Sequence, residues 1–578
     1  MARVRKVEIR NFRSIRVLDW FPSGGINCLV GPGDSGKSSI LDAIDLCIGA
    51  RRSISVDDTD FFGLDVTQPI SITLTIGELP DALKNINTYG DFLRAFDPAS
   101  GQVEEEPRQG LETVLALRLE IGADLEPVWT LISARARELG LERGISWKDR
   151  GSIAPARLGN YANSNLSWSR GSVLNRLSGE RANLGAELAR AAREARANFG
   201  NQAGVQFAQT LQTVTATANS LGVSVGASAT ALLDAHAVSI GDGAITLHSE
   251  AGVPLRSLGT GSVRLLIAGL QRAAADSASI ILIDEVEYGL EPHRLTRLLD
   301  SLGAKEPAPP LQVFMTTHSP VAVRELSGNQ IFVVRSVART HSVRPVGVDD
   351  DVQSTIRADP EAFLARTVIV CEGASEVGFV RGMDAHYVSG GQTSLLARGV
   401  AYVNVGGGDP DRCFIRGNAL LTLGYRAIVL VDNDKPPTPE LRRLTALFEA
   451  NGGTWVSWRQ GRALEDELFA SLNRVAVGLL IQQGIENVGD ELVDAHIRTQ
   501  SQNQLNLQSV LAEGLAGDYS PATRTCLGVA SRHRKNGWFK SVTKFEHVAR
   551  TIVFPNFADA DAGFSLPVLR LYGLAHAA

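Results

Sequence analysis

A glycine-rich loop between an apolar run and an amphipathic stretch does most to limit what this chain can fold into. Residues 25–30 read as a short buried strand. Gly31, Pro32, Gly33, Asp34, Ser35, Gly36, Lys37, Ser38 and Ser39 follow, and residues 39–50 then carry a helical apolar period. The loop matches GxxxxGK[ST] in the strand–loop–helix setting that gives the pattern meaning. Its glycines let backbone N–H groups close around a phosphate at a helix N-terminus. Gly31, Gly33, Ser35, Gly36 and Ser39 are therefore the expected cradle. Lys37 is expected to reach the β- and γ-phosphates, and Ser38 to hold Mg²⁺. A chance glycine turn rarely sits in this context. Asp34 adds a negative charge that local electrostatics should disfavour beside phosphate.

A second element, Ile280-Ile-Leu-Ile283-Asp284-Glu285, ends an apolar strand on an acidic pair. Alone it is weak, because many buried strands end in Asp. Beside the loop it predicts Asp284 near the nucleotide's Mg²⁺ and Glu285 as general base for an attacking water. Lys37 and Asp284 stand 247 positions apart. A compact nucleotide-binding domain does not need that gap, so a long insertion is expected between its halves.

The rest of the sequence fits this plan. At 578 residues the chain is too long for one hydrophobic core. Alanine, arginine and glutamate dominate residues 135–222, the expected helical insertion and a possible dimerisation arm; a solvated helix pair reads equally well. Further strands are expected at 4–9, 69–76, 114–122, 127–132, 237–248 (with a hairpin turn at Gly241–Gly243) and 311–317. The predicted order is one nucleotide-binding half at 1–134, the insertion, the second half at 223–340 and a polar linker at 341–364. A second α/β domain follows at 365–475, and a helical region at 476–578 completes its site. Net charge is −6, so nucleic-acid contact must come from local basic patches. The five cysteines form no CxxC pair, which argues against zinc or a disulfide framework. With no signal-like start and no apolar run of about 20 residues, a cytoplasmic protein away from membranes is expected.

Three more segments narrow the class: Ser257-Leu-Gly259-Thr-Gly261-Ser-Val-Arg264 before the acidic pair, then Gly289-Leu-Glu-Pro292 and Thr316-Thr-His318-Ser-Pro320. With the opening Ile9-Arg-Asn-Phe12-Arg-Ser-Ile, they resemble the ABC ATPases of the RecF and chromosome-maintenance branch. The resemblance implies ATP as cofactor. It makes Ser257 and Gly259 the signature that caps the ATP of a partner subunit, and His318 the switch histidine that senses the γ-phosphate. The signature departs from LSGGQ. Such sites close between two halves, which implies a homodimer or a higher even oligomer.

The second α/β pattern carries its own chemistry. Val368-Ile-Val-Cys371 delivers Glu372 at a strand end, and Gly373 turns the chain into a helix bearing Glu376 four positions on. Sixty positions after Glu372, Ile428-Val-Leu-Val431 ends on Asp432 and Asp434, which can point the same way. Clustered carboxylates repel unless cations neutralise them, and oxygen-only ligands favour Mg²⁺ or Mn²⁺.

The E-G-x-x-E then D-x-D pattern resembles the Toprim fold, and an ABC ATPase followed by Toprim is the arrangement of the OLD (overcoming lysogenization defect) nucleases. The resemblance extends to Gly461-Arg-Ala-Leu-Glu465-Asp466-Glu467, to Asn404-Val-Gly406-Gly407-Gly408 and to Gly537-Trp538-Phe539-Lys540. It implies an α/β multidomain nuclease with a two-ion site on Glu372, Glu376, Asp432, Asp434 and Glu465 (Glu467 being the alternative) and one further ion with ATP. Glu372 and Lys540 would take part in hydrolysis of DNA phosphodiesters, Lys540 by stabilising charge. It also implies a role in phage defence or DNA processing, in some relatives with a separately encoded helicase. A different reading makes the chain an ATP-driven DNA clamp in which the second domain only binds. Read from local sequence alone, Lys540 is an ordinary surface lysine.

Two basic clusters could follow the DNA backbone. One is Arg524, Arg532, His533, Arg534, Lys535, Lys540 and Lys544, with Trp538 and Phe539 between them as stacking surfaces. The other, Arg135 to Arg170 with Trp147 and Trp168, reads better as a solvated basic face.

Overall fold

A computed structural model describes residues 2–51, 54–158, 166, 172–177, 185–231, 245–275, 279–337 and 340–577. The chain is mixed α/β and divides into two compact units, each assembled from separated stretches. The first comprises Met1–Ile9, Phe21–Ile26 and Leu41–Met315; the second Arg10–Trp20, Asn27–Ile40 and Thr316–Ala578. The predicted hairpin at 241–243 lies outside the described residues.

Unit one contains an antiparallel set in the order Val103–Glu104, Arg94–Phe96, Glu112–Ile121, Ile70–Gly77. Its longest pairing runs from Ile70↔Ile121 to Ile76↔Leu115. Burial of apolar residues along this register drives the pairing. A second set is parallel, with Ile280–Ile283 between Gln312–Thr316 and Ala156–Leu158. All four residues of Ile280–Ile283 are buried, as befits a strand covered on both faces. Ala156–Leu158 corrects the sequence reading, which placed it inside the helical insertion. Three residues are too few to show a period, and pairing with Ile281–Ile283 decides their conformation. The insertion otherwise contributes helices, chiefly Gly185–Gln206 and Ala208–Ser220. Most of their described side chains are exposed on every face, so little packing supports either helix.

In unit two Ile26–Val30 pairs in parallel with Ile331–Val337, through Ile331↔Cys28 to Val333↔Val30. Ile331–Val337 also forms a hairpin with Thr340–Pro345. The stretch 341–364 is therefore no linker. It holds the rest of that strand, a helix at Asp350–Ala358 and a 3-10 turn at Pro360–Leu364. Its polar composition reflects one-sided burial, with Val352, Thr355 and Ile356 turned inward.

A four-stranded parallel sheet follows, in the order Val400–Asn404, Thr367–Cys371, Arg426–Val431, Thr454–Ser457. The chain moves to one side after Thr367–Cys371 and to the other after Arg426–Val431. These two central strands therefore flank a topological switch point, where α/β sheets open a crevice at their carboxyl ends. Their register, Thr367↔Arg426 to Cys371↔Leu430, brings the residues after both strands to one edge. The C-terminal helices pack on Ala374–Ser389 by close approach. A Cβ on Gly378 would meet the Val542 carbonyl oxygen at 2.5 Å, and one on Gly382 the Glu546 oxygen at 2.6 Å.

Candidate functional site

The phosphate loop lies in unit two. Gly31 (φ +143°) and Gly36 (φ +86°) adopt backbone angles that side chains resist. Space also requires glycine. A Cβ on Gly31 would meet the Val334 carbonyl oxygen at 2.6 Å, and one on Gly36 the Ser14 Oγ at 3.1 Å and His341 Nε2 at 3.2 Å. Lys37 opens the helix Lys37–Ile48. It is buried, and its Nζ donates to the carbonyl oxygens of Gly31 (3.1 Å) and Pro32 (2.8 Å) and lies 3.3 Å from Ser35 Oγ. Gly33, Asp34 and Ser38 are exposed and Ser39 half-buried. Asp34 sits at the loop's apex in a left-handed conformation (φ +58°), a place short polar side chains tolerate. His318 is exposed in the same unit.

The acidic pair lies in unit one. Asp284 is half-buried and Glu285 exposed, the latter with φ +48°, a strained value for a residue of its kind. Buried Arg264 donates to the carbonyl oxygens of Tyr288 (2.7 Å) and Glu285 (3.2 Å), tying the helix Thr260–Ala273 to the turn after Ile280–Ile283. Ser257 and Gly259 precede that helix on an exposed edge.

The carboxylates gather in unit two. Glu372 follows one central strand and Asp432 the other; the Asp432 backbone N–H donates to Glu372 Oε2 at 3.1 Å. Gly406, Gly407 and Gly408 all have positive φ, and the Gly407 N–H donates to the Glu372 carbonyl oxygen at 2.6 Å. Glu376 caps its own helix through the Gly373 N–H (2.8 Å). Asp432 Oδ1 accepts the Leu464 N–H at 2.9 Å, which places the next helix, Leu464–Ser471, beside it. Glu465 on that helix receives Ser375 Oγ at 3.4 Å. Glu376 and Glu465 are both buried.

Crowding of like charges shows in their acidities. Burial, then Glu465 and Glu372, push the Glu376 carboxyl up to about 8. Burial, with Glu376, Glu465 and Glu372 adding, raises Asp432 well above the carboxylate range. Glu372 is raised by burial and by Asp434, with the Asp432 N–H opposing. Glu465 is raised by burial and by Asp466. An all-oxygen, mutually repelling donor set suits hard divalent ions. Among the described residues, however, no three acidic, His or Cys side chains are drawn together tightly enough to hold an ion as they stand.

Glu467 has a different setting. It is fully buried and accepts from Arg459 Nε (2.7 Å), Arg462 Nη1 (3.3 Å to Oε2) and Ser471 Oγ (2.8 Å). Sequence reasoning missed Asp466 and the role of Arg532. Arg532 Nη1 donates to Asp434 Oδ2 at 2.8 Å, and its Nε lies 3.1 Å from Asp466 Oδ2. A basic residue beside GWFK was visible, but nothing in the sequence directed it to Asp434.

The first basic cluster also changes character. Trp538 and Phe539 are fully buried, and Trp538 Nε1 donates to His496 Nδ1 at 3.2 Å, so neither ring is a stacking surface. Arg524 binds the Phe469 and Leu472 carbonyl oxygens and Asp518. Lys544 Nζ donates to the Asn487 oxygen. His533, Arg534, Lys535 and Lys540 stay exposed, with Lys540 Nζ donating to the Arg534 oxygen. In the second cluster Arg135, Arg143 and Arg150 bind backbone carbonyls and Arg157 pairs with Asp42 and Asp45. Trp168 and Arg170 lie outside the described residues.

Comparison with known proteins fits these elements. One family model, "AAA domain, putative AbiEii toxin, Type IV TA system", matches residues 124–324. Another, "AAA domain", matches residues 6–93. The "OLD nuclease" of Thermus scotoductus is 36% identical over 75 residues, 12% of this chain and 14% of that protein. The "DNA replication and repair protein RecF" of Nitrosococcus oceani is 43% identical over 53 residues, 9% of this chain and 14% of that protein. The matches thus span about a seventh of each curated relative. Solved structures with similar chains include the SMC head domain from Thermotoga maritima (17% identity, 60% of this chain and 100% of that one, TM-score 0.29). They also include the recombination mediator protein RecF in its RecFOR-pathway structure (12% identity, 60% and 98%, TM-score 0.30). Among the described residues no helix is long and apolar enough to cross a membrane.

Proposed function

We propose that this chain, an OLD-family ABC-type ATPase, is an ATP-dependent or ATP-regulated DNA endonuclease acting in phage defence or DNA processing. The reading is carried by the meeting of Glu372, Glu376, Asp432 and Glu465 at the carboxyl ends of two central strands, in a chain that also has a phosphate loop. A binding relic would have no reason to keep four repelling carboxylates together, two of them buried. We read residues 365–475 as a Toprim domain completed by the helices after it.

Glu372, Glu376, Asp432, Asp434 and Glu465 would hold two Mg²⁺ or Mn²⁺ ions, and Ser38 and Asp284 a third with ATP. Bound there, the two ions would supply Lewis acidity and countercharge for phosphodiester hydrolysis. The chain's own residues set the geometry. Glu372 is fixed by the Asp432 N–H it accepts, and Asp432 by the Leu464 N–H. Glu465 suits the site better than Glu467, whose oxygens are engaged by two arginines and a serine. Lys540, exposed at the end of GWFK, would turn from the Arg534 oxygen to charge developing on the phosphate. In the ATPase module Lys37 would exchange loop carbonyls for the nucleotide's phosphates, Glu285 would act as base, Ser257 and Gly259 would contact the γ-phosphate of a partner subunit's ATP, and His318 would sense the γ-phosphate. A separately encoded helicase would be a further partner.

Cleavage of supercoiled plasmid tests the reading, with Mg²⁺ or Mn²⁺, with and without ATP. Glu372→Ala should abolish cutting, and Lys37→Ala should change only its dependence on ATP. Wild-type protein that hydrolyses ATP but cuts nothing would favour the clamp. Glu285→Gln protein with ATP should elute as a dimer or larger even oligomer, and a strictly monomeric mass would sink that part.

A further inference from the structure

Arg532 reaches the acidic cluster from a segment 98 residues beyond Asp434. It caps the end of the helix Pro521–Ser531. One turn earlier, Gly528 lies where a Cβ would meet Asp466 Cα at 2.8 Å and Oδ1 at 2.9 Å. Glycine there lets the helix lie against the first turn of Leu464–Ser471, and that approach carries the guanidinium between Asp434 and Asp466. The two carboxylates are 19% and 11% exposed, so water screens the triad poorly. Asp466 Oδ2 accepts the Ala463 N–H at 2.9 Å, whereas its buried Oδ1 has no hydrogen-bond partner among the described residues. The arginine thus supplies one positive charge to two carboxylates and leaves one buried oxygen unmet.

We infer that Arg532 is an exchangeable countercharge: it holds the Asp434–Asp466 locus until a divalent cation displaces it. The inference rests on the metal-nuclease reading and adds a rule to it. The two ion loci are unequal. The one around Glu372, Glu376, Asp432 and Glu465 pairs with no arginine among the described residues and fills first. The one at Asp434 and Asp466 fills only when Arg532 leaves. A divalent ion would bring twice the charge to the two carboxylates that the arginine now shares. The released guanidinium is 30% exposed already and adjoins the exposed His533, Arg534 and Lys535. A DNA phosphate is the matching acceptor for that fork. DNA and the second ion would therefore promote each other's binding.

Mn²⁺ binding to the full chain tests this without any turnover, by electron paramagnetic resonance and calorimetry in the absence of nucleotide. Arg532→Gln should tighten the weaker Mn²⁺ class by about tenfold or more and the stronger class less, since the charge removed is in contact with Asp434 and Asp466 and acts on Glu465 only from further off. Damage to the fold would weaken binding, so tightening is a result that a purely structural role cannot give. Arg532→Lys keeps the charge without the fork and should tighten the weak class severalfold, which covers the case of a poorly folded glutamine variant. Unchanged or weaker Mn²⁺ binding in whichever variant folds overturns the inference while the metal site stands. No Mn²⁺ binding by any form overturns both.

Discussion

Glu465 and Glu467 sit two positions apart on one helix and are both buried, yet their replacement by glutamine should move stability in opposite directions. Glu467 is fully buried and accepts from two guanidinium groups and a hydroxyl. Hydrogen bonds to charged groups are each worth about 1.5–3 kcal/mol against about 1 for neutral ones. The arginines are 37% and 33% exposed, so water recovers part of what they lose. Glu467→Gln should therefore cost about 2 kcal/mol. Among the described residues Glu465 has only Ser375 as a side-chain donor, at 3.4 Å, and it faces other carboxylates. Glu465→Gln removes one of several repelling charges and should gain about 1 kcal/mol when divalent ions are absent. For a unit of this size 1 kcal/mol shifts Tm by roughly 2 °C. Calorimetry in EDTA should show Glu467→Gln melting about 4 °C low and Glu465→Gln about 2 °C high. Below its Tm the first should still cut DNA, and the second should not. If both variants melt low by similar amounts, or if Glu467→Gln keeps full stability, the division of labour argued for this helix is wrong.

Three further perturbations follow from close contacts and burial. Gly36→Ala places a methyl 3.1 Å from Ser14 Oγ and 3.2 Å from His341 Nε2 in a backbone with φ +86°; equilibrium binding of a fluorescent ATP analogue should fall by about tenfold or more, from strain of about 1–2 kcal/mol. Gly528→Ala puts a methyl 2.8 Å from Asp466 Cα, which should lower stability by about 1–3 kcal/mol in urea unfolding and remove the Arg532 contacts with it. His341 is 5% exposed with neither ring nitrogen hydrogen-bonded among the described residues, and burial lowers its pKa. Its neutral form is favoured in the fold, so the unfolded chain takes up the proton first as pH falls. The stability it contributes is full above the unfolded value, near 6.5, and declines below it, by at most about 1.4 kcal/mol per pH unit. His341→Phe should flatten that part of the stability profile between pH 7 and 5, and an unchanged slope would refute the assignment.

What the sequence made legible was local. The strand–loop–helix around Lys37, the buried Ile280–Ile283 and the strand ends at Glu372 and Asp432 each announce themselves within a dozen residues, because apolar runs and glycine angles leave few alternatives. What failed depended on distant partners. Ala156–Leu158 is a strand only because Ile281–Ile283 offers an edge. Residues 341–364 looked like a linker because one face of a short helix is polar. Trp538 and Phe539 looked like a nucleic-acid surface because arginines and lysines surround them, though both rings belong to the core. Arg532 is the instructive case. In sequence it is one cation in a basic run, and the residue that redirects it is Gly528, which bears no charge at all. A glycine one turn before a helix end sets how near that helix can lie to Asp466, and the nearness decides whether the arginine meets solvent or the carboxylates. Charge patterns therefore marked which carboxylates the fold draws together, while the positions of small residues, which no charge count weighs, determined where the opposing charges met.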